Sequence, residues 1–248
     1  MEQAQGLGFA HLLAQTDTIG KAILAILLVM SVATWYLIAT KGIETLGCGR
    51  RSRRFLALFW DSPSLAVVER HLEQHHPDEP FSHLAYHAIA SSRHHARHGV
   101  HRLDEAGSAA EFLTRSIRRV IDEETTRLES GLTVLASVGS TAPFVGLFGT
   151  VWGVYHALVS IGLAGQGTLD RVAGPVGEAL IMTALGLAVA IPAVLAYNGF
   201  VRSNRLVLAR LDAFAHDLFS FLTTGAHYGD VASAPPHPAL SKVVKGAA

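Results

Sequence analysis

Cysteine is nearly absent from this sequence, and charged residues are scarce. Cys48 is the only cysteine among 248 residues, which excludes an internal disulfide framework and any zinc site built on several cysteines. Charged residues make up 16% of the chain, against roughly 25% in a typical soluble protein. Since 20 basic residues balance 20 acidic residues, no net positive charge attracts nucleic acid, and we expect no nucleic-acid partner.

Recognisable catalytic motifs are also missing. The glycine-rich run at residues 146–150 has no lysine after it and falls within an apolar stretch, so it cannot serve as a phosphate-binding loop. His94, His95, His98 and His101 include an i, i+4 pair that could hold a metal, but no HExxH pattern accompanies them. A solvated, histidine-rich helical face is the favoured interpretation. We therefore expect no enzymatic activity, no cofactor and no metal site.

Apolar sequence, by contrast, is abundant. Half of the residues are hydrophobic, and the mean hydropathy is +0.32. Three runs, at residues 22–40, 131–163 and 176–200, are long enough to cross a membrane, because about 20 helical residues span the ~30 Å hydrocarbon layer. Trp35 and Tyr36 lie near the end of the first run, as aromatic residues do at a membrane interface. The second run exceeds one bilayer thickness, so part of it must protrude or tilt.

The basic residues predict the orientation of these spans. Residues 41–130 contain 13 of the 20 lysines and arginines, and five more follow the third run, whereas only Lys21 and Arg171 lie on the opposite side. Basic loops stay in the cytoplasm, so we expect the N-terminus outside and the C-terminus inside. The first residues lack the basic start and the cleavage pattern of a signal peptide, and we expect them to be retained.

Helices are also predicted between and after the spans. Two short ones should open at residues 62–63 and 79–80, because proline suits a first helical turn. A longer one should start near Ser108, which forms a capping box with Glu111, and continue into the second span without a loop. The predicted fold class is all-α, an integral membrane protein with three transmembrane helices and long helices that extend into the cytoplasm. The predicted segments are a periplasmic N-terminal segment (1–21), the first span (22–40), a cytoplasmic helical loop (41–130), the second span (131–163), a short periplasmic connector (164–175), the third span (176–200), a cytoplasmic C-terminal helix (201–228) and a disordered tail (229–248).

Small residues recur along one face of the second and third spans. In lipid, such faces let helix backbones approach closely, where the hydrophobic effect does not hold helices together. At about 3.6 residues per turn, the members of each set share one face. Two uses are open, packing of the two spans against each other or lining a pore. These stripes consist of Gly139, Pro143, Gly146, Thr150, Gly153 and Ala157 on the second span, and of Ala179, Thr183, Gly186, Ala190 and Ala193 on the third.

One carboxylate, Glu178, falls inside the third span. It precedes the stripe by one residue, about 100° around the helix. An acid at membrane depth costs on the order of 3 kcal/mol, so such groups usually face a protein interior or a wet cavity and serve an ion pathway. We hypothesise that Glu178 binds and releases protons, the alternative being a structural clamp. His156 falls near the outer end of the second span, where an interfacial histidine needs no special role.

The motifs of the second and third spans resemble a known family. APFVGLFGTVWG at 142–153, GEAL at 177–180, TALGL at 183–187, AIPAV at 190–194 and YN at 197–198 strongly resemble the ExbB family of energy-transducing proteins, in the wider group that contains TolQ and MotA. The three-span layout fits the same family. A stator of the MotA type is disfavoured because it needs a fourth span, and the segments at 214–217 and 222–225 look more like ExbB than TolQ.

The resemblance implies a subunit of a bacterial inner-membrane motor. Such subunits form a pentameric ring in the lipid around the single spans of an ExbD dimer and, with TonB, couple proton flow to work on outer-membrane transporters. The resemblance implies that Glu178, Thr150 and Thr183 line the proton path and that the two stripes form the pore wall facing ExbD. The alternatives are a TolQ-type subunit, paired with TolR and TolA, and a passive membrane scaffold with a structural Glu178.

Overall fold

The computed structural model describes residues 17–75, 77–98, 109–164 and 169–224, and these residues form helices joined by short turns, with no strand among them. The predicted tail and the capping residue Ser108 lie outside the described residues. The helices are α1 (Thr18–Asp61), α2 (Leu65–Gln74), α3 (Pro80–His98), α4 (Ala109–Glu129), α5 (Leu132–Ala164) and α6 (Leu169–Thr224).

Three helical segments are long and apolar enough to cross a membrane. They fall in α1, in the stretch from Ala109 to Val159 that includes most of α5, and in α6 from Ala179 onward. Each extends well beyond the ~20 residues that a span needs. The three-span, all-α fold class predicted from the sequence is confirmed. The limits of the individual segments stay predictions; α6 begins at Leu169, within the stretch assigned to the connector.

The described residues of 17–48 and 127–205 form one compact unit, here called the membrane unit. Its interior is made by α1, α5 and α6, with Leu135, Ala142 and Ala193 fully buried. Large apolar side chains such as Phe144 and Leu195 point outward. An apolar exterior of this kind suits contact with lipid or with other membrane helices.

A two-residue turn, Ser130–Gly131, separates α4 from α5. Gly131 adopts a φ of 80°, a left-handed conformation that glycine reaches without the steric cost of a Cβ. The sequence predicted one helix continuing into the second span without a loop. That prediction is corrected here. The connection is only two residues long, but it ends α4, and α5 is a separate helix.

The described residues of 49–126 and 206–224 form a second compact unit. Its core gathers aromatic side chains around Phe214, whose ring centroid lies 5.2 Å from that of Phe59 and 5.8 Å from that of Phe81. Leu211 and Leu218, on the same face of α6, are fully buried. This end of α6 therefore packs one apolar face into the core of the second unit.

The start of α3 is fixed by a buried carboxylate. Glu79 precedes Pro80, and its two oxygens accept hydrogen bonds from the backbone N–H groups of Ser82, at 2.7 Å, and Phe81, at 3.2 Å. The Ser52 hydroxyl donates to the same carboxylate at 2.7 Å. These bonds satisfy N–H groups that lack partners in the first turn of a helix. The helix predicted to open at residues 79–80 is confirmed.

Candidate functional site

Helices α5 and α6 approach each other closely at Gly146 and Gly186. A Cβ added to Gly146 would lie 2.6 Å from the Met182 carbonyl oxygen and 3.0 Å from the Gly186 Cα. A Cβ added to Gly186 would lie 2.6 Å from the carbonyl oxygen of Ala142. The two backbones therefore touch, and any side chain at either position would collide with the opposite main chain.

Small residues extend this contact in both directions. A Cβ on Gly139 would lie 2.5 Å from Cγ2 of Val194, and a Cβ on Gly153 would lie 3.0 Å from the Ala179 Cβ. Pro143 lies inside α5 and is partly buried. The remaining stripe alanines, Ala157, Ala179, Ala190 and Ala193, are all buried.

These contacts bear on the two uses that the sequence left open for the stripes. Packing between the second and third spans of one chain is the use seen at Gly139, Gly146, Gly153 and Gly186. A pore-lining use of the same faces stays a prediction.

Two threonine hydroxyls meet within this contact. The Oγ1 atoms of Thr150 and Thr183 lie 2.5 Å apart. The Thr150 hydroxyl also lies 3.0 Å from the Ala179 carbonyl oxygen and 3.3 Å from that of Gly146. Because a hydroxyl carries one proton, Thr150 can donate to one of these acceptors at a time. The pair therefore forms a polar link, with alternative donor arrangements, inside an otherwise apolar helix contact.

Glu178 lies in the same turn of α6 as Ala179, which contacts the threonine pair. It directly precedes Ala179, whose carbonyl oxygen faces the Thr150 hydroxyl and whose Cβ faces Gly153. The Glu178 side chain lies outside the part of the chain that the structure describes. Of the three predicted proton-path residues, the structure brings Thr150 and Thr183 together.

A polar cluster that the sequence interpretation missed joins the start of α1 to α5. Asp17 Oδ1 accepts a hydrogen bond from the Gly20 N–H at 2.8 Å, and Oδ2 accepts one from Trp152 Nε1 at 2.7 Å. His156 Nε2 lies 4.0 Å from the same Oδ2. Asp17 stands directly before the first apolar run, where a helix N-cap is expected, so that signal was present. No signal in the sequence indicated that Asp17 would pair with Trp152.

Hydrogen bonding keeps Asp17 ionised. Burial alone would raise the pKa of its carboxyl, but the bonds from Trp152 and Gly20, together with the neighbouring His156, hold that pKa below its usual value. The carboxylate is accordingly negative at any pH near neutral.

The second unit contains a separate group of titratable residues. His83 Nδ1 lies 2.8 Å from Oε1 of Glu124, a carboxylate that is 3% exposed. One turn further along α3, burial and then the nearby His83 lower the pKa of His87. Among the described residues, no three histidine, cysteine or acidic side chains group as a metal site requires. His101 lies outside them.

Known proteins match this sequence over most of its length. A model of the MotA/TolQ/ExbB proton channel family matches residues 78–213. The biopolymer transport protein ExbB of Xanthomonas campestris pv. campestris (strain B100) is 43% identical over 228 residues, covering 89% of this chain and 90% of that protein. ExbB of Neisseria meningitidis serogroup A is 41% identical, covering 82% of this chain and 91% of that protein. The Tol-Pal system protein TolQ of Pseudomonas aeruginosa is 32% identical, covering 88% and 94%.

Proposed function

Since the chain belongs to the MotA/TolQ/ExbB proton channel family, we propose that it is an ExbB-type subunit of a proton-driven motor. In this proposal it couples the proton motive force across the bacterial inner membrane to active transport across the outer membrane, of substrates such as siderophores and vitamin B12. The N-terminus would lie in the periplasm, and the second unit in the cytoplasm.

The hydroxyl pair of Thr150 and Thr183 is the observation that supports this proposal most. A hydroxyl can both donate and accept a hydrogen bond, as the groups along a proton path must, and polar residues inside membrane spans often mark such a path. Glu178 directly precedes Ala179, whose carbonyl oxygen lies 3.0 Å from the Thr150 hydroxyl. In the proposed mechanism, Glu178 takes up and releases the proton, while the threonine pair supplies hydrogen bonds beside it.

A complete channel requires further chains in this proposal. The described contact of α5 and α6 is closed at Gly146 and Gly186, where an added Cβ would lie 2.6 Å from a carbonyl oxygen of the opposite helix. The proposed assembly is a pentameric ring of this chain in the lipid. An ExbD-like single-span protein would lie inside the ring and supply a second carboxylate, in addition to Glu178. A TonB-like protein would transmit the resulting motion to the outer membrane.

A TolQ-type role is the second candidate, because TolQ of P. aeruginosa is also 32% identical over most of both chains. In that role the partners would be TolR-like and TolA-like proteins, and the output would be envelope integrity. The two candidates differ in phenotype. Loss of an ExbB-type subunit should abolish siderophore-dependent growth, whereas loss of a TolQ-type subunit should cause detergent sensitivity.

The test is Glu178→Gln in cells that depend on siderophore uptake. We expect loss of energised uptake with normal membrane insertion and oligomer size, because glutamine cannot take up a proton. Glu44→Gln is the matched control, since Glu44 lies on α1 with a side chain that is 67% exposed, and uptake should stay at the wild-type level. Uptake retained in Glu178→Gln would instead make the chain a passive scaffold.

A further inference from the structure

The second unit contains a groove between the neighbouring helices α2 and α3. It encloses about 300 Å³, the lower end of the range for ligand-binding clefts. Leu72 and Ile89, both buried, and exposed Ala90 give the groove an apolar part of its lining. This part of the lining suits the aliphatic side chains of a bound segment, because their contact with it removes apolar surface from water.

The charged part of the lining is mainly acidic. Glu69 and Glu73 lie one turn apart on α2, and both line the groove. Arg93 of α3 forms an ion pair with Glu69, and Glu73 is exposed. A segment that combines aliphatic side chains with lysine or arginine therefore complements both the apolar surface and the charge of the groove.

The chain itself contains a segment of this chemistry. Residues 239–245 read ALSKVVK, and no acidic residue follows Asp230 in the sequence. Leu240, Val243 and Val244 are aliphatic, and two lysines stand among them. The segment lies outside the described part of the chain.

The connection is long enough for this segment to reach the groove. Residues 225–238 join the end of α6 at Thr224 to the segment, and an extended chain of that length spans up to about 46 Å at roughly 3.3 Å per residue. The groove and the end of α6 belong to the same compact unit, and a domain of about 100 residues has a radius of gyration of only about 13 Å. Every face of the unit is therefore within reach.

We propose that the groove between α2 and α3 binds residues 239–245 of the same chain. The aliphatic residues of the segment match the apolar lining, and its two lysines match the carboxylates of Glu73 and Glu69. Since Glu69 is already paired with Arg93, Glu73 supplies most of the attraction. A tethered segment has an effective concentration in the millimolar range, so that a weak contact is enough to fill the groove. The interaction ties the end of α6 to α2 and α3, and it does not depend on the proposed function.

Photo-cross-linking of the full chain in nanodiscs tests this contact. Tyr86 is exposed and lines the groove, so Tyr86→p-benzoylphenylalanine places a photoreactive ring there, and mass spectrometry identifies the cross-linked residues. We expect cross-links to concentrate in residues 239–245, in a product that migrates as a single chain on a denaturing gel. Ala213→p-benzoylphenylalanine is the matched control, because Ala213 is exposed on α6 in the same unit and does not line the groove. It should show no such concentration.

Charge reversal tests the acidic part of the lining. Glu73→Lys, or Lys242→Glu together with Lys245→Glu, should lower the cross-linking yield roughly threefold to tenfold, because the modest attraction of exposed ion pairs becomes repulsion. Combining the three changes should restore part of the yield, which a merely misfolded variant would not do. Asp212→Lys, at an exposed position of α6 outside the groove, should leave the yield unchanged.

The contrary outcomes are equally defined. Cross-links spread along the chain without an excess in residues 239–245 would overturn the proposal, and so would a yield that is insensitive to both charge reversals. Cross-links found only between two chains would show that the segment comes from a second copy, against the assignment to the same chain. If uptake survives Glu178→Gln, the proposed function fails, whereas the cross-linking result still decides whether the groove binds this segment.

Discussion

At the residue scale, the buried polar groups of this protein differ in the kind of partner that they contact, and the consequences differ with the type of group. Glu124 is 3% exposed and lies against His83. A buried carboxylate of this kind needs a partner of opposite charge or a hydrogen-bond donor, and the His83 ring can be either. Thr150 and Thr183 need only exchange hydrogen bonds. The first contact therefore buries an acidic group beside a basic one, whereas the threonine pair contains no ionisable group.

His87 gives the second unit a defined dependence on pH. Its pKa lies below the ordinary 6.5, first because burial removes the imidazole from water, then because His83 lies nearby, an effect that Glu123 opposes and Arg119 reinforces. The folded form therefore binds fewer protons than the unfolded form, and stability falls as the pH drops below about 6.5.

Hydrogen exchange of the full chain should show this dependence. After correction for intrinsic exchange rates, we expect weaker protection of α3 amides at pH 5.5 than at pH 7.5, and a smaller difference in His87→Gln. Equal protection at both pH values, or an undiminished difference in the variant, would contradict the assignment to His87.

Residue types in the candidate site could be predicted from the sequence, but their partners could not. The helical period predicts that Thr150 and Thr183 lie on the small-residue faces of their spans, because a residue's face follows from its spacing to its neighbours in the same helix. The pairing of Asp17 with Trp152 joins positions 135 apart in the chain. Helical phase shows which face a residue occupies, but not which distant element covers that face.

At the scale of the elements, the contact of α5 and α6 depends on glycines, which have no side chain to separate the two backbones. Gly186→Ala would drive a Cβ to within 2.6 Å of a backbone carbonyl. We expect a loss of about 1–3 kcal/mol of stability, because a tightly packed contact cannot absorb an added methyl group. Thermal unfolding of the full chain in nanodiscs measures the loss.

Gly199→Ala is the matched control, since it lies on the same helix and a Cβ there would meet nothing within 4 Å. It should be neutral or stabilise by up to about 1 kcal/mol, the helix-propensity gain of alanine over glycine. Equal effects of the two substitutions would show that the glycine stripe is not a packing surface.

Helix existence was predicted well because hydropathy and proline positions are local signals. The three spans and the helix opening at residues 79–80 follow from them. The turn at Gly131 was not predicted, because its φ of 80° reflects how α4 and α5 are joined, and an isolated glycine does not specify a conformation.

At the scale of the whole molecule, the membrane unit has a largely apolar exterior. The membrane unit packs its small residues inward and presents large apolar side chains outward, such as Phe144, Leu180 and Leu195. Such a surface suits lipid and neighbouring helices alike. In the proposed function this surface contacts lipid, further copies of the chain and a partner span, so that proton movement is a property of the complex.

Proton entry into proteoliposomes tests that claim most directly. The full chain would be reconstituted with the ExbD-like protein of the same organism, and internal acidification followed by a trapped pH dye under an imposed membrane potential. We predict acidification faster than in empty vesicles for the wild type, and at the empty-vesicle rate for Glu178→Gln. Equal rates for wild type and empty vesicles, or for wild type and Glu178→Gln, would contradict a proton channel served by this residue.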